Sequence, residues 1–134
     1  SWIEFFLVEF DTFTRRRVEG PDKHYTKLIG KEFSIEVTLN NNKKIRKTLK
    51  FGEGLVAWNE KANKVCFVGE FALFAILKGE ALFEDLYVGY NAEWARFPDN
   101  EYNRDIVMMM TMFSYVYKNR LSSNACKKFL FTDE

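Results

Sequence analysis

Alternation of apolar and polar residues over positions 31–39 is the strongest structural constraint in this sequence. Phe33, Ile35 and Val37 alternate with charged or hydroxyl-bearing residues, a pattern typical of a strand with one buried face. Three asparagines follow at 40–42, and residues 43–51 return as a second strand-like run. Because Asn tolerates positive φ, the three asparagines suit the turn of a β-hairpin.

The register of this hairpin is predicted from side-chain pairing across its two strands. A three-residue loop places Val37 opposite Ile45 and Phe33 opposite Leu49. A shift by one residue would place Val37 beside Lys or Arg, which cross-strand pairing disfavours. The same register pairs acidic with basic residues on the opposite face: Glu36 with Arg46, and Glu32 with Lys50.

The other patterns predict an α+β fold with a mostly antiparallel sheet. Residues 2–13 are dense in aromatic and β-branched residues and predict a central strand covered on both faces. Apolar residues recur every three or four positions after Pro98, which predicts a long helix near the C-terminus, about 99–120. Residues 70–78 fit either a short helix or a buried strand. Further strands are predicted at 65–68 and 86–94, with a possible one at 129–132.

Length and composition predict one domain over residues 1–134. The chain is 47% hydrophobic and 17% aromatic, so a well-filled core needs no disulfide or metal. Because the sequence starts at Ser1 and not at Met, we expect that an upstream segment is absent. Basic and acidic residues nearly balance at a net charge of +1, so any attraction to nucleic acid must come from local clusters. The longest apolar run, at 71–77, is far short of the ~20 residues of a membrane-spanning helix.

Residues that could support catalysis or metal binding are few. The single His, His24, lies in a polar segment and fits a surface histidine better than a pH sensor. Cys66 and Cys126 lack metal-binding spacing, so we expect two reduced thiols, with a lone disulfide as the alternative. No phosphate-binding loop or nucleophile elbow is present. The sequence therefore predicts no catalytic residues, no metal and no cofactor, and it disfavours a small α+β enzyme.

Six basic residues are candidates for contact with phosphate: Arg15, Arg16, Arg17, Lys43, Lys44 and Lys47. The first three, here called the arginine triplet, are predicted to lie in a polar loop. The last three, the lysine cluster, have no evident acidic partner in the hairpin. Lys47 falls on the otherwise apolar face, which indicates a sheet edge or a subunit boundary. Both groups fit either a solvated surface or contact with lipid headgroups or RNA.

A run of methionines falls within the predicted C-terminal helix: Met108, Met109, Met110 and Met112. These residues surround the helix instead of forming one stripe. They fit core filling on two sides, or an adaptable contact surface for another subunit or a bilayer.

Three patches, in order along the chain, resemble a known family. Trp2 opens an apolar stretch that continues as Leu-Val-Glu-Phe-Asp at 7–11, and Phe-Ser-Ile-Glu-Val follows at 33–37. Met-Phe-Ser-Tyr-Val-Tyr-Lys-Asn at 112–119 ends the predicted long helix. Together they resemble the small matrix proteins of bornaviruses, within the matrix proteins of negative-strand RNA viruses. The likeness covers most of the chain in order and spacing, while identity is confined to the patches.

This resemblance implies an α+β fold with a bent sheet that assembles into tetramers and larger lattices. It implies a non-enzymatic matrix protein that lies on the inner face of the viral membrane and links it to the ribonucleoprotein. The expected partners are further copies of the chain, an anionic membrane surface, and the viral ribonucleoprotein or RNA. The expected location is intracellular, peripheral on the inner face of the membrane, and in the virion. Because the arginine triplet has no counterpart in the family, the six basic candidates depend on charge alone.

The alternative function is a β-rich peptide- or lipid-binding adaptor module of a cellular protein. Such a module would be monomeric and would use one groove or one sheet edge as its site. A discrete oligomer would favour the matrix hypothesis, whereas a monomer would favour the adaptor.

Overall fold

The computed structural model describes residues 2–19, 27–77, 80–81, 92–98 and 104–120. Within these ranges the chain forms helices and strands, which confirms the predicted α+β class. In chain order they are α1 (Trp2–Glu19), β1 (Glu32–Thr38), β2 (Lys44–Lys50), β3 (Gly54–Val56), β4 (Lys64–Gly69), α2 (Glu70–Leu77), β5 (Ala92–Arg96) and α3 (Arg104–Arg120).

The strands form one sheet in the order β3-β2-β1-β4-β5. β1 pairs antiparallel with β2 but parallel with β4, whereas β2–β3 and β4–β5 are antiparallel pairs. The sheet is therefore mixed, and the prediction of a mostly antiparallel sheet missed its parallel pair. That pair requires a crossing, which residues 57–63 provide before β4 begins. Ser34 donates to the carbonyl of Asn59 in this crossing (2.6 Å), and the Asn59 N–H donates to Thr48 Oγ1 (2.9 Å).

The predicted hairpin is confirmed in its register. Glu32 lies opposite Lys50 and Val37 opposite Ile45, with every pair between them as expected. Asn42 in the turn has φ of 65°, a conformation that Asn adopts at lower cost than most residues.

Residues 2–19 form helix α1, so the prediction of a central strand at 2–13 is wrong. Ile3, Phe6, Leu7 and Phe10 are fully buried at the three- and four-residue spacing of a helix. Val8, which the strand prediction placed in the interior, is 49% exposed. The strand preference of aromatic residues is weak, and packing against the sheet overrides it here. The arginine triplet consequently lies towards the end of a helix and not in a loop.

Helices α2 and α3 resolve the remaining helical predictions. Residues 70–77 adopt the helical alternative as α2, with Leu73 and Ile76 buried. The predicted long helix is confirmed as α3 from 104 to 120, while 99–103 lie outside the described residues. The buried side chains of α3 recur at helical spacing: Ile106, Met109, Met110 and Phe113.

The three remaining strand predictions have different outcomes. The strand predicted at 65–68 is confirmed within β4. Of residues 86–94, only 92–94 are described, and they belong to β5. The strand predicted at 129–132 lies outside the described residues.

The three helices contribute to one apolar core against one face of the sheet. Phe10 of α1 joins the layers, because its ring contacts Phe33 of β1 and Phe51 at centroid distances of 6.1 Å each. It also lies 5.1 Å from the ring of Phe113 in α3. The other face, called the outer face below, carries the alternate residues of the central strands: Ser34, Glu36, Arg46, Thr48 and Phe67.

Candidate functional site

The apolar interior between the helices and the sheet is the candidate functional site. Strand side chains alternate between faces, so every second residue of β1, β2 and β4 points into this interior. Six buried residues form its floor: Phe33, Ile35, Val37, Leu49, Cys66 and Val68. These six side chains form an apolar surface across three adjacent strands, which Lys47 of β2 and Lys64 of β4 interrupt on the same face.

The helices cover this floor with further apolar side chains. Seven of those in the core are Phe6, Phe10, Leu73, Ile76, Met109, Met110 and Phe113. The buried hydroxyls of the helices bond to their own backbone: Thr14 donates to the carbonyl of Asp11 and Ser114 to that of Thr111, each at 2.8 Å. These hydroxyls are satisfied without a ligand, so they impose no polar requirement on what the interior contains.

Lys64, at the start of β4, brings a charge to the border of the interior. It is 3% exposed, and its Nζ lies 5.3 Å from the centre of the Trp94 ring. Burial lowers the pKa of Lys64, and the neighbouring charge of Arg96 lowers it further. Lys64 was not among the site residues predicted from the sequence, because it precedes the strand predicted at 65–68. The sequence did contain a signal for its location. Lys64 lies two residues before Cys66, and residues two apart on a strand point to the same face of the sheet.

Cys66 is a free thiol and is fully buried. Burial raises its pKa well above the usual range, which opposes formation of the nucleophilic thiolate. Cys126 and His24 lie outside the described residues. Cys66 therefore contributes to the floor as an apolar side chain and not as a reactive group.

The arginine triplet does not form a single phosphate-binding patch on α1. Arg15 Nε donates to Asp11 Oδ2 at 3.0 Å, and the Arg17 guanidinium lies 5.1 Å from the centre of the Phe13 ring. Arg16 is exposed. Successive helical residues point about 100° apart, so the three charges diverge. Phosphate contact by any one of them stays a prediction.

The lysine cluster is also divided by the structure. Lys44 lies on the outer face with its Nζ 3.9 Å from Glu36 Oε2, so the expectation that it lacks an acidic partner is wrong. Lys47 is also paired. It lies in the part of β2 that β3 does not reach, at an edge of the sheet. Its Nζ donates to Glu4 Oε1 of α1 at 2.7 Å. This hydrogen bond and the charge of Lys47 lower the pKa of Glu4. Lys43 is exposed in the hairpin loop and forms no ion pair with a described residue.

The methionines of α3 differ in burial, so core filling, one of the two interpretations of the run, applies to only some of them. Met109 and Met110 are in the core, whereas Met108 is 40% exposed. Tyr115, seven residues after Met108 and thus on the same side of the helix, is 51% exposed. None of the described helices has the length and apolar character needed to cross a membrane.

Neither a protein-family profile nor a curated protein sequence matches this chain. Its fold, however, is that of sterol carrier protein 2 domains. The sterol carrier protein domain 2 of Helicoverpa armigera aligns over 86% of this chain and 90% of its own, with a TM-score of 0.52 and 13% identity. The ubiquinone synthesis protein UbiJ-SCP2 aligns over 84% and 92%, with a TM-score of 0.52 and 17% identity. Sterol carrier protein 2 like 2 of Aedes aegypti aligns over 79% and 95%, with a TM-score of 0.51 and 10% identity.

These similarities overturn the resemblance to bornavirus matrix proteins. The structural neighbours are sterol carrier protein 2 domains, and none of them is a viral matrix protein. The matrix function is therefore wrong, and the tetramer, ribonucleoprotein and virion that the resemblance implied lose their support. One of the matching patches, at 7–11, was interpreted as a strand but lies in helix α1.

Proposed function

We propose that this chain is a lipid-binding module that holds one apolar molecule between its sheet and its helices. The observation that carries the proposal is the fold, shared over most of the chain with domains named as sterol carriers. This is the lipid-binding form of the adaptor hypothesis. The ligand class proposed is a sterol or a lipid with a single acyl chain.

The lining of the interior supplies the free energy for such a ligand. Burying an apolar group stabilises a complex by roughly 0.8 kcal/mol per CH₂, so a long acyl chain could gain about 10 kcal/mol before the cost of making room. Met109 and Met110 line the core from α3. Their unbranched side chains can rearrange around ligands of different shape more readily than branched side chains. The proposed role requires no catalytic group, and we propose that the chain is not an enzyme.

A carrier must also contact the membrane that supplies its ligand. Phe71, at the start of α2, is 72% exposed, the most exposed of the large apolar side chains described. The adjacent Glu70 accepts a hydrogen bond from the Asn40 N–H in the hairpin loop (3.3 Å), and Lys43 lies in that same loop. An exposed apolar ring, together with an ammonium group that forms no ion pair with a described residue, complements an anionic bilayer surface. We propose that this end of the molecule contacts the membrane.

Ligand binding is tested with a fluorescent sterol titrated into the full chain. We expect saturable binding of one sterol per chain, and displacement by excess unlabelled sterol. A sterol carries no carboxylate, so the titration reports on the interior and not on any anion-binding site. Absence of saturable binding by both a sterol and a long-chain alcohol would contradict the proposal.

Membrane contact is tested by sedimentation with vesicles of phosphatidylcholine and phosphatidylserine. We expect Phe71→Asp to remove most of the binding, because it places a charge in the apolar contact. Ile29→Asp is the matched control, since Ile29 is 58% exposed but lies in the segment before β1. Lys43→Ala should weaken binding about fivefold on anionic vesicles only. Equal losses for Phe71→Asp and Ile29→Asp would contradict the assignment of this surface.

A further inference from the structure

A cavity of about 380 Å³ opens on the outer face of the sheet, opposite the helices. Its floor is a row of three side chains on adjacent strands: Arg46 of β2, Glu36 of β1 and Phe67 of β4. Trp58 and Phe97 form its walls. The volume falls within the range of about 300–1,000 Å³ that is usual for small-molecule sites.

The walls of this cavity are held by hydrogen bonds to the sheet. The crossing segment that carries Trp58 is bonded through Asn59, whose Nδ2 donates to Glu32 Oε2 at 3.0 Å. Asn63 Oδ1 accepts from the N–H of Glu32 at 2.9 Å, and the Asn63 carbonyl accepts from the N–H of Phe97 at 3.4 Å. The aromatic walls are thus positioned without a ligand, which reduces the entropy lost on binding.

Arg46 gives the cavity a directed positive charge. Its Nε donates to Glu36 Oε1 at 2.8 Å, and its guanidinium lies 5.9 Å from the centre of the Trp58 ring. This one hydrogen bond leaves both terminal nitrogens of Arg46 without a hydrogen-bond partner among the described residues. A guanidinium edge of this kind matches the two oxygens of a carboxylate.

The charges around Arg46 favour an anion over a cation as the ligand. Glu36 is only 11% exposed in its side chain and is already neutralised by Arg46, with Lys44 3.9 Å away. A cationic ligand would have to displace Arg46 from both Glu36 and Trp58. At the rim, Lys61 and Glu60 are exposed and of opposite charge, so together they favour neither an anionic nor a cationic ligand.

We infer that this outer-face cavity binds a small organic carboxylate with an apolar body. The carboxylate pairs with the terminal nitrogens of Arg46, and the body packs among Phe67, Phe97 and Trp58. The inference does not depend on the proposed function, because the cavity lies on the face of the sheet that does not border the interior.

The test is an NMR titration of the ¹⁵N-labelled full chain with 3-phenylpropionate, its neutral amide and a phenylpropyl ammonium ion. We expect saturable shifts at the Trp58 indole N–H and the Phe67 amide, with Kd of about 1 mM for so small a ligand. The amide should bind about tenfold or more weakly, because it loses a charge-assisted hydrogen bond. Hexanoate in place of 3-phenylpropionate distinguishes an aliphatic from an aromatic body.

Arg46→Met should weaken carboxylate binding about tenfold to a hundredfold. Lys50→Met is the matched control, because Lys50 lies on the same strand and face and does not line the cavity. The comparison of acid, amide and ammonium in the unaltered chain requires no variant, so it stands even if Arg46→Met fails to fold. Equal binding of acid and amide, tighter binding of the ammonium ion, or shifts confined to Met109 and Met110 would overturn the inference.

Discussion

Residue pairs show where local sequence is sufficient to predict an interaction. Glu36 and Arg46 were predicted as partners because hairpin register alone places them opposite each other, and they form a 2.8 Å hydrogen bond. The partner of Lys47 could not be predicted in this way. Glu4 lies 43 residues away, in a segment whose pattern indicated a strand. A charge on an apolar face therefore signals a partner in another element, but it does not identify that partner.

Lys64→Met tests the cost of the buried charge at the border of the interior. The folded-state pKa of Lys64 lies below its ordinary 10.5, so the unfolded chain binds more protons between those two values. The contribution of Lys64 to the free energy of unfolding therefore rises with pH between its folded-state pKa and 10.5. At neutral pH we expect the variant to gain about 1 kcal/mol in free energy of unfolding, because methionine requires no desolvation of charge.

Urea unfolding of Lys64→Met and the unaltered chain, from neutral pH to above 10.5, measures this gain. The difference between the two proteins should shrink as the pH rises, because the lysine is then neutral in both states. Lys61→Met, at an exposed position, is the control and should change little at any pH. A difference that stays constant or grows with pH would show that desolvation of charge is not the cause.

Elements with strong local signals were predicted correctly, and those decided by packing were not. The hairpin combines alternating apolar and polar residues, a turn of three asparagines, and acidic residues opposite basic ones. All three features indicate the same register. In α1, the residues at 5–8 are apolar in succession, a pattern compatible with a buried strand. The buried positions have helical spacing: Ile3, Phe6, Leu7 and Phe10. Val8 is apolar although it is exposed, so the helical spacing is not evident from the sequence alone. Where the pattern is ambiguous, contacts with the rest of the molecule decide the element.

The hairpin turn provides a prediction at this scale. Asn42→Val should lower the free energy of unfolding by about 1–2 kcal/mol, because a β-branched residue is strained at a φ of 65°. Asn42→Gly should be neutral or slightly stabilising, since glycine adopts this conformation freely. Thermal unfolding followed by circular dichroism measures both. If the two variants are equally destabilised, the loss must come from the Asn side chain and not from backbone strain.

At the scale of the whole molecule, the decisive features are non-local and were not predicted. The parallel pairing of β1 with β4 joins strands separated by β2, β3 and a crossing, and no pairing signal in the sequence identifies it. The interior combines the β1–β2 hairpin and the adjoining β4 and α2 with α1 and α3, which lie far from them in sequence. The outer-face cavity was missed for the same reason, although its Glu36–Arg46 pair was predicted. Short matching patches, by contrast, suggested a family to which the fold does not correspond.

Intermolecular nuclear Overhauser effects show whether a lipid enters the interior. The full chain, labelled with ¹³C at Met and Ile methyl groups, is saturated with an unlabelled sterol. We expect contacts from the sterol to Ile35, Met109 and Met110, which line the interior, and none to Met108, which is 40% exposed on the outside of α3. Sterol contacts confined to Met108, or no contact with any labelled methyl group, would contradict the account.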